Sequence, residues 1–371
     1  MTSESTAGSE PDLLVVGAGL IGTSIGLAAR AAGWRVALVD ADPGRASLAA
    51  QMGAGDAVAG VVPARLAVAA VPPALVGATC AELLRELPQA LVTHVCSVQL
   101  GPAGEVEAFS GSAVQRFAGG HPIAGREVSG PAAASADLFA DRAWAVCPLP
   151  GSGPAVADAV VELARMCRAE PIVLSAREHD ELLARLSHAP QLVASALAST
   201  LATMTEDETR LAGTGLRDTT RLADSDPAMW GQIAAANAGE LAAAVRAVAE
   251  PMLALAERLE SGDPSVADEA VRALVTRGRA GRAMLPGKHG RRAVQLAVVR
   301  CIVPDTPGSL ARLFADAAAF SVNVEDVRVD HAPGQPIGFA ELFVAPTDRE
   351  RLVRGLRDRH WTVSEGADEA L

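Results

Sequence analysis

Three glycines and an aspartate near the start of the chain are spaced to hold a dinucleotide. Gly17, Gly19 and Gly22 stand as G-x-G-x-x-G in GAGLIG, after the apolar run Leu13 to Val16 and before an alanine-rich stretch reaching Ala32. In such a turn the first glycine allows the bend, the second lets backbone approach a pyrophosphate, and the third lets helix and strand pack closely. The amides that open the helix, at Leu20 and Ile21, have no partner within it and carry partial positive charge, which suits a pyrophosphate. Asp40 closes the next β-branched run, Arg35 to Val39, where a carboxylate accepts from adenosine ribose hydroxyls. Its charge repels a 2′-phosphate, so the expected cofactor is NAD rather than NADP, a preference that Arg45 nearby weakens slightly. A glycine-rich turn with no ligand is the competing reading, and the strand, helix and distant acid together argue against it.

Such a turn needs a doubly wound sheet beneath it. At 371 residues the chain is long enough for two or three domains. A polar tail over 1–10 is followed by apolar runs at Leu13 to Val16, Arg35 to Val39, Ala67 to Val71, Leu91 to Val95 and Ala143 to Cys147, separated by helical or Pro/Gly-rich segments. This alternation predicts an α/β Rossmann-like domain over 11–175, with Gly151 to Leu174 adding a helix and a strand. From 176 to 284 the texture is Ala, Leu, Arg and Glu with few β-branched clusters, which predicts an all-helical second domain. LPGKHGRR, 285–292, reads as a linker. From 293 to 371 the order is strand, helix, strand, strand, helix, strand, the βαββαβ pattern of a small ferredoxin-like sandwich.

Composition narrows the partners. Acidic residues outnumber basic ones 44 to 32, a formal net charge of −12 without a long like-charge block, so nucleic acid and anionic lipid are not expected partners. Cys80, Cys96, Cys147, Cys167 and Cys301 form neither a zinc spacing nor a disulfide framework, so no metal site is expected and a reducing compartment fits. With no signal-like N-terminus and no long apolar stretch, the expected location is the cytoplasm, away from membranes.

Three further segments carry a family resemblance. HPIAGREVSG at His121 to Gly130, LSHAPQ at Leu186 to Gln191 and GLRDTTRLADSDPAMW at Gly215 to Trp230, in that order behind the glycine turn, resemble prephenate dehydrogenases. The resemblance covers most of the chain and implies oxidative decarboxylation of prephenate or arogenate in tyrosine biosynthesis. In such a reaction hydride passes to NAD, the ring hydroxyl loses its proton, the ring carboxylate leaves as carbon dioxide, and aromatisation drives the step. It implies His121 as the base, and an imidazole with an ordinary pKa of about 6.5 suits that work at cytoplasmic pH. Ser97 matches the family serine near the nicotinamide and the reacting hydroxyl, whereas His94 and Gln99 stand where the family usually has Asp and Lys. His188 matches a histidine placed toward a substrate carboxylate. Arg221 matches the carboxylate-binding arginine, and Arg217, four residues earlier, lies on the same helical face to share that role. Glu127, six residues after His121, is placed to face the substrate side chain, where a carboxylate favours the amino group of arogenate. Trp230 is expected to pack the helical domain.

Asp305, Pro307, Gly308 and Leu310 resemble the PDxPGxL signature of ACT domains, which implies amino-acid binding and feedback by tyrosine. In this family the helical domain mediates dimerisation, so a homodimer is expected. Two alternatives stay open. A β-hydroxyacid-type dehydrogenase needs a catalytic lysine, and the only lysine, Lys288, falls in the expected linker. The other is a non-catalytic protein that senses NAD and an amino acid.

Overall fold

The computed structural model describes residues 10–125, 128–285, 296–331 and 337–364. Glu127, Lys288 and most of the expected linker lie outside them. The chain divides into two compact units, Met1–Glu260 and Ser261–Leu371.

The first unit is built on a mixed sheet. In chain order its elements are β1 (Leu13–Val16), α1 (Leu20–Ala31), β2 (Val36–Val39), α2 (Pro43–Gln51), β3 (Asp56–Ala57), β4 (Leu66–Ala69), α3 (Val76–Glu86), β5 (Leu91–His94), α4 (Leu100–Ser110), β6 (Phe117–Pro122), β7 (Ala143–Pro148), α5 (Pro154–Met166) and β8 (Glu170–Val173). Across the sheet the order is β3-β2-β1-β4-β5-β6-β7-β8. Neighbours from β3 to β6 run parallel, β7 runs antiparallel to β6, and β8 is parallel to β7. The winding reverses between β1 and β4, and a crevice opens at the carboxyl ends of strands on either side of such a reversal.

Alternation along each strand separates two cores. Leu13 and Val15 of β1, with Leu66 and Val68 of β4, face Ile25, Ala29 and Val160 from α1 and α5. Leu14 of β1 and Ala67 and Ala69 of β4 face the other way, toward Cys80, Leu84 and Val106 from α3 and α4. Side chains that point to opposite faces at period two and are buried on both explain why these strands are continuously apolar.

Two strands were not expected from sequence, the short β3 and the central β6. The β6 segment FAGGHP reads as a turn, yet its glycines answer to crowding. A Cβ on Gly120 would lie 2.8 Å from the His94 carbonyl oxygen and 3.2 Å from Trp144 Nε1, and one on Gly119 would collide with Gln99 Oε1. Side chains of β5, β7 and the loop after β5 fill the space that β6 leaves, so the strand carries no alternating pattern of its own.

The rest of the unit is helical. α6 (Ala176–Leu183) opens on a reciprocal cap: Ser175 Oγ accepts from Glu178 N, and the Glu178 carboxylate accepts from Ser175 N at 2.8 Å. It widens into a π-helical turn over Ala184–His188 before α7 (Ala189–Ser199). Pro190, in the first turn of α7, has no N–H to return to the preceding turn, which accounts for the widening. Then come α8 (Glu206–Thr209), α9 (Thr214–Thr220), α10 (Pro227–Ala236) and α11 (Ala238–Glu260). Ile233 of α10 is buried in the second of the two sheet cores, and Trp230 packs against that core rather than within the helical domain as the sequence suggested, so that together they anchor the helices to the sheet.

The second unit holds α12 (Pro264–Arg282), β9 (Ala297–Pro304), α13 (Ser309–Ala319), β10 (Val324–His331), β11 (Ile337–Val344), α14 (Arg349–Asp358) and β12 (Thr362–Ser364). Its strands form an antiparallel sheet in the order β10-β11-β9-β12. Leu313 and Ala317 of α13 and Leu352 and Leu356 of α14 are buried with Val299, Val303 and Leu342 of the sheet.

Candidate functional site

The glycine turn lies at the carboxyl end of β1, and its backbone is fixed from several sides. Gly17 has φ +105°, and a Cβ there would collide with the Ala70 carbonyl, while one on Gly22 would collide with the Gly17 carbonyl. Gly19 faces open space, with nothing within 4 Å of the place a Cβ would take. Gly19 also caps α1 without a side-chain bond, and the first turn of α1, at Leu20 and Ile21, carries no acid. Asp40 accepts from Ala18 N at 2.6 Å and from Asp42 N at 2.8 Å, one bond to each carboxylate oxygen, which ties the turn to the end of β2. Each oxygen keeps acceptor capacity for a hydroxyl. An open-faced glycine, uncapped helix amides and a carboxylate one strand away fit a dinucleotide.

Further along the same edge β5 ends at His94, the following loop carries Ser97, half-buried, and β6 carries His121 at its end. Here four of the chain's seven histidines, His94, His121, His179 and His188, gather about one buried carboxylate, Asp180. His121 Nδ1 lies 2.9 Å from His179 Nε2, and His179 Nδ1 lies 2.8 Å from Asp180 Oδ1. Asp180 also accepts from Gln99 N and Leu100 N, both at 2.9 Å, where α4 begins. Oriented amides at a helix start substitute for the water this carboxylate has lost. Among the described residues no three ligating groups converge as a metal site would require.

Asn237, at the junction of α10 and α11, reaches the same cluster. Its Nδ2 donates to the Asp180 carbonyl at 2.8 Å and lies 3.3 Å from His188 Nδ1, with the amide orientation assigned from this network. As an acceptor at Nδ1, neutral His188 carries its ring proton on Nε2. Trp230 meets the His188 ring edge-on, with centroids 6.0 Å apart.

His94 and Gln99, the two departures from the family pattern, form a neutral neighbourhood. Both are buried, His94 Nδ1 accepts from Cys96 N at 3.1 Å, and Gln99 Nε2 donates to the Cys96 carbonyl at 2.8 Å. His94 Nε2 and Gln99 Oε1, a donor and an acceptor, both border the empty side of Gly119. Burial first, and His179 second, push the His94 pKa down to about 3, so the pair carries no charge. Burial, then the nearby His179, His188 and His94, hold His121 well below the usual histidine value. Burial also lowers His188. All five cysteines are buried free thiols whose pKa values burial raises, so none is a nucleophile in waiting.

Arg217 lies in α9, and Arg221 in the single 3-10 turn that follows it, both exposed. The change of helix type at Arg221 departs from the continuous face expected from sequence. That turn hangs on α7 through Gln191, whose Nε2 donates to the Leu222 carbonyl at 2.6 Å. Asp305, Pro307, Gly308 and Leu310 lie in the second unit, around a hollow of about 470 Å³ at the start of α13.

His179 and Asp180 were not singled out from sequence. The signal was present: Ala176, His179, Asp180 and Leu183 recur at helical spacing from the Ser175 cap, and the first three are buried. Charged neighbours on both sides, in AREHDELL, hide that stripe.

Comparison with known proteins agrees with this arrangement. Residues 25–173 match the model of the prephenate dehydrogenase nucleotide-binding domain, and residues 175–274 match that of the prephenate dehydrogenase dimerization domain. A probable prephenate dehydrogenase of Streptomyces niveus, NovF, is 34% identical over 95% of this chain and 99% of its own. The chain belongs to the prephenate dehydrogenase family. A second relative, the prephenate dehydrogenase of Bacillus subtilis, is 27% identical over 94% of this chain and 96% of its own. The crystal structure of prephenate dehydrogenase from A. aeolicus with hydroxyphenyl propionate and NAD+ has a TM-score of 0.65 at 24% identity, over 74% of this chain and 100% of that one. The protein is thus a dehydrogenase of this family, with a Rossmann-like nucleotide-binding domain and a helical dimerisation domain.

The neutral burial of His94 has a measurable consequence. Above pH 6.5 neither folded nor unfolded chain protonates it; between 6.5 and about 3 only the unfolded chain does, so stability falls as pH falls. In urea unfolding between pH 6.5 and 4, His94→Asn should flatten the decline by up to about 1.4 kcal/mol per pH unit. An unchanged slope would mean that His94 protonates in the folded protein.

Proposed function

We propose that this enzyme oxidises and decarboxylates prephenate, or its amino analogue arogenate, to the matching 4-hydroxyphenyl product in tyrosine biosynthesis. The observation that carries the reading is His121, set at the carboxyl edge of the sheet that bears the glycine turn, with one ring nitrogen engaged by His179. NAD, held by Gly17, Gly19, the Leu20 and Ile21 amides, Gly22 and Asp40, supplies the hydride acceptor. His121 takes the proton of the ring hydroxyl, and its lowered pKa keeps it unprotonated at working pH. Ser97 hydrogen-bonds the same hydroxyl. Arg221, assisted by Arg217, holds a substrate carboxylate, and His188 donates to it as a neutral ring. Glu127 lies outside the described residues; as a carboxylate near the substrate side chain it would incline the site toward arogenate or toward both substrates. The neutral His94 and Gln99 add no charge of their own beside Asp180.

The assembly we propose is a homodimer through the helical domain. Val248, Met252, Leu253 and Leu259 of α11 are apolar and exposed, and a long apolar helix face left open is what a second copy would cover. No described helix is long and apolar enough to cross a membrane. We place the enzyme in the cytoplasm.

The third part of the reading is an ACT-type regulatory domain in the second unit. It is supported by the βαββαβ element order and by the hollow at Asp305, Pro307, Gly308 and Leu310, where Gly308 with φ +89° opens α13. The amides of that helix start suit an amino-acid carboxylate, and tyrosine is the expected effector.

Two experiments test the reading. Following NADH with prephenate and then arogenate, His121→Asn should lose about 100-fold or more in kcat with NAD affinity intact, and Arg221→Ala should raise the KM of the organic substrate well above any change for NAD. Normal turnover by His121→Asn would remove the base, and equal KM effects would reduce Arg221 to a folding role. Calorimetry with tyrosine should give saturable heat that Gly308→Val abolishes; no heat with tyrosine or phenylalanine would leave the second unit without the proposed effector.

A further inference from the structure

Whether a buried imidazole is a base or a donor depends on which ring nitrogen holds its proton. We propose that Asp180 and His179 are positioning residues that set this choice for His121, through a hydrogen-bonded chain that leaves His121 Nε2 bare for the substrate proton. The inference rests on His121 being the base.

The chain can be followed atom by atom. Asp180 is fully buried, accepts from two backbone amides at the start of α4, and lies 2.8 Å from His179 Nδ1. An ionised carboxylate only accepts, so His179 Nδ1 carries a proton. Neutral His179 then has a bare Nε2. That nitrogen lies 2.9 Å from His121 Nδ1, and two nitrogens at this distance need one proton between them. It must come from His121 Nδ1, and neutral His121 is left with its lone pair on Nε2.

The same chain serves the protonated state. When the substrate O–H breaks, its electron pair stays on oxygen and the proton forms a bond to His121 Nε2. The resulting imidazolium donates from Nδ1 to His179, and its charge is balanced across the His179 ring by Asp180. Among the described residues, the titratable groups that act on His121 are His179, His188 and His94. The rival arrangement is a doubly protonated His179 paired with Asp180. It would donate from Nε2 to His121 Nδ1 and place the His121 proton on Nε2, where no base could form.

Removing His179 separates these cases. His179→Phe deletes the acceptor, whereas His179→Gln can accept from His121 through Oε1 and donate to Asp180 through Nε2. With NAD and prephenate, His179→Phe should lose about 100-fold or more in kcat, the scale on which a positioned general base contributes, with prephenate KM and NAD affinity within about threefold of wild type. His179→Gln should recover at least about a tenfold part of that loss. If His179→Phe keeps kcat within about threefold, or if both variants bind NAD normally and are equally slow, the chain does not position His121. His121→Asn, measured alongside, isolates the other failure: normal turnover there removes the base itself, while a dead His121→Asn beside an active His179→Phe removes only this inference.

Discussion

A carboxylate taken out of water must find donors to replace the solvent, and the arrangement around Asp180 follows from meeting that need. Two amides at the start of α4 and the His179 ring supply them. Those bonds also dictate geometry. They fix α6, which carries Asp180, against the loop after β5, and so hold the helical segment on the sheet edge where β6 delivers His121. The Asp180 carbonyl, accepting from Asn237, brings the start of α11 to the same point. One buried ion thus joins four stretches of chain far apart in sequence, and removing it would leave amides and imidazoles without partners at once.

The cluster also illustrates how one residue type serves different ends. His121 has a ring as its Nδ1 partner, His188 has an amide, and His94 has the Cys96 N–H. Each partner assigns a proton position, and burial keeps His94, His121 and His188 from ionising readily. On the proposed reading, His121 accepts at Nε2 while His188 donates there. His94 and Gln99 place no charge beside them, so they do not compete with Asp180 for the charge that develops in turnover.

Much of this was legible in the sequence, for physical reasons that differ by element. The glycine turn and the first strands announce themselves because a strand buried on both faces is continuously apolar and because Gly17 and Gly22 have no room for a side chain. The helical middle and the order of the C-terminal elements were equally plain from periodicity. β6 was not, since crowding by His94, Gln99 and Trp144 strips it of the side chains that would mark it. Asp180 and His179 were hidden differently. A buried charge looks like a surface charge when its neighbours are charged too, and only the three-dimensional partners reveal that it faces inward.

The central claim concerns the place of one proton, and it is most directly tested by joint neutron and X-ray diffraction from deuterium-exchanged crystals near neutral pH. The account predicts deuterium on His121 Nδ1 and on His179 Nδ1, with His121 Nε2 bare. Deuterium on His121 Nε2, with Nδ1 accepting from His179, would contradict it.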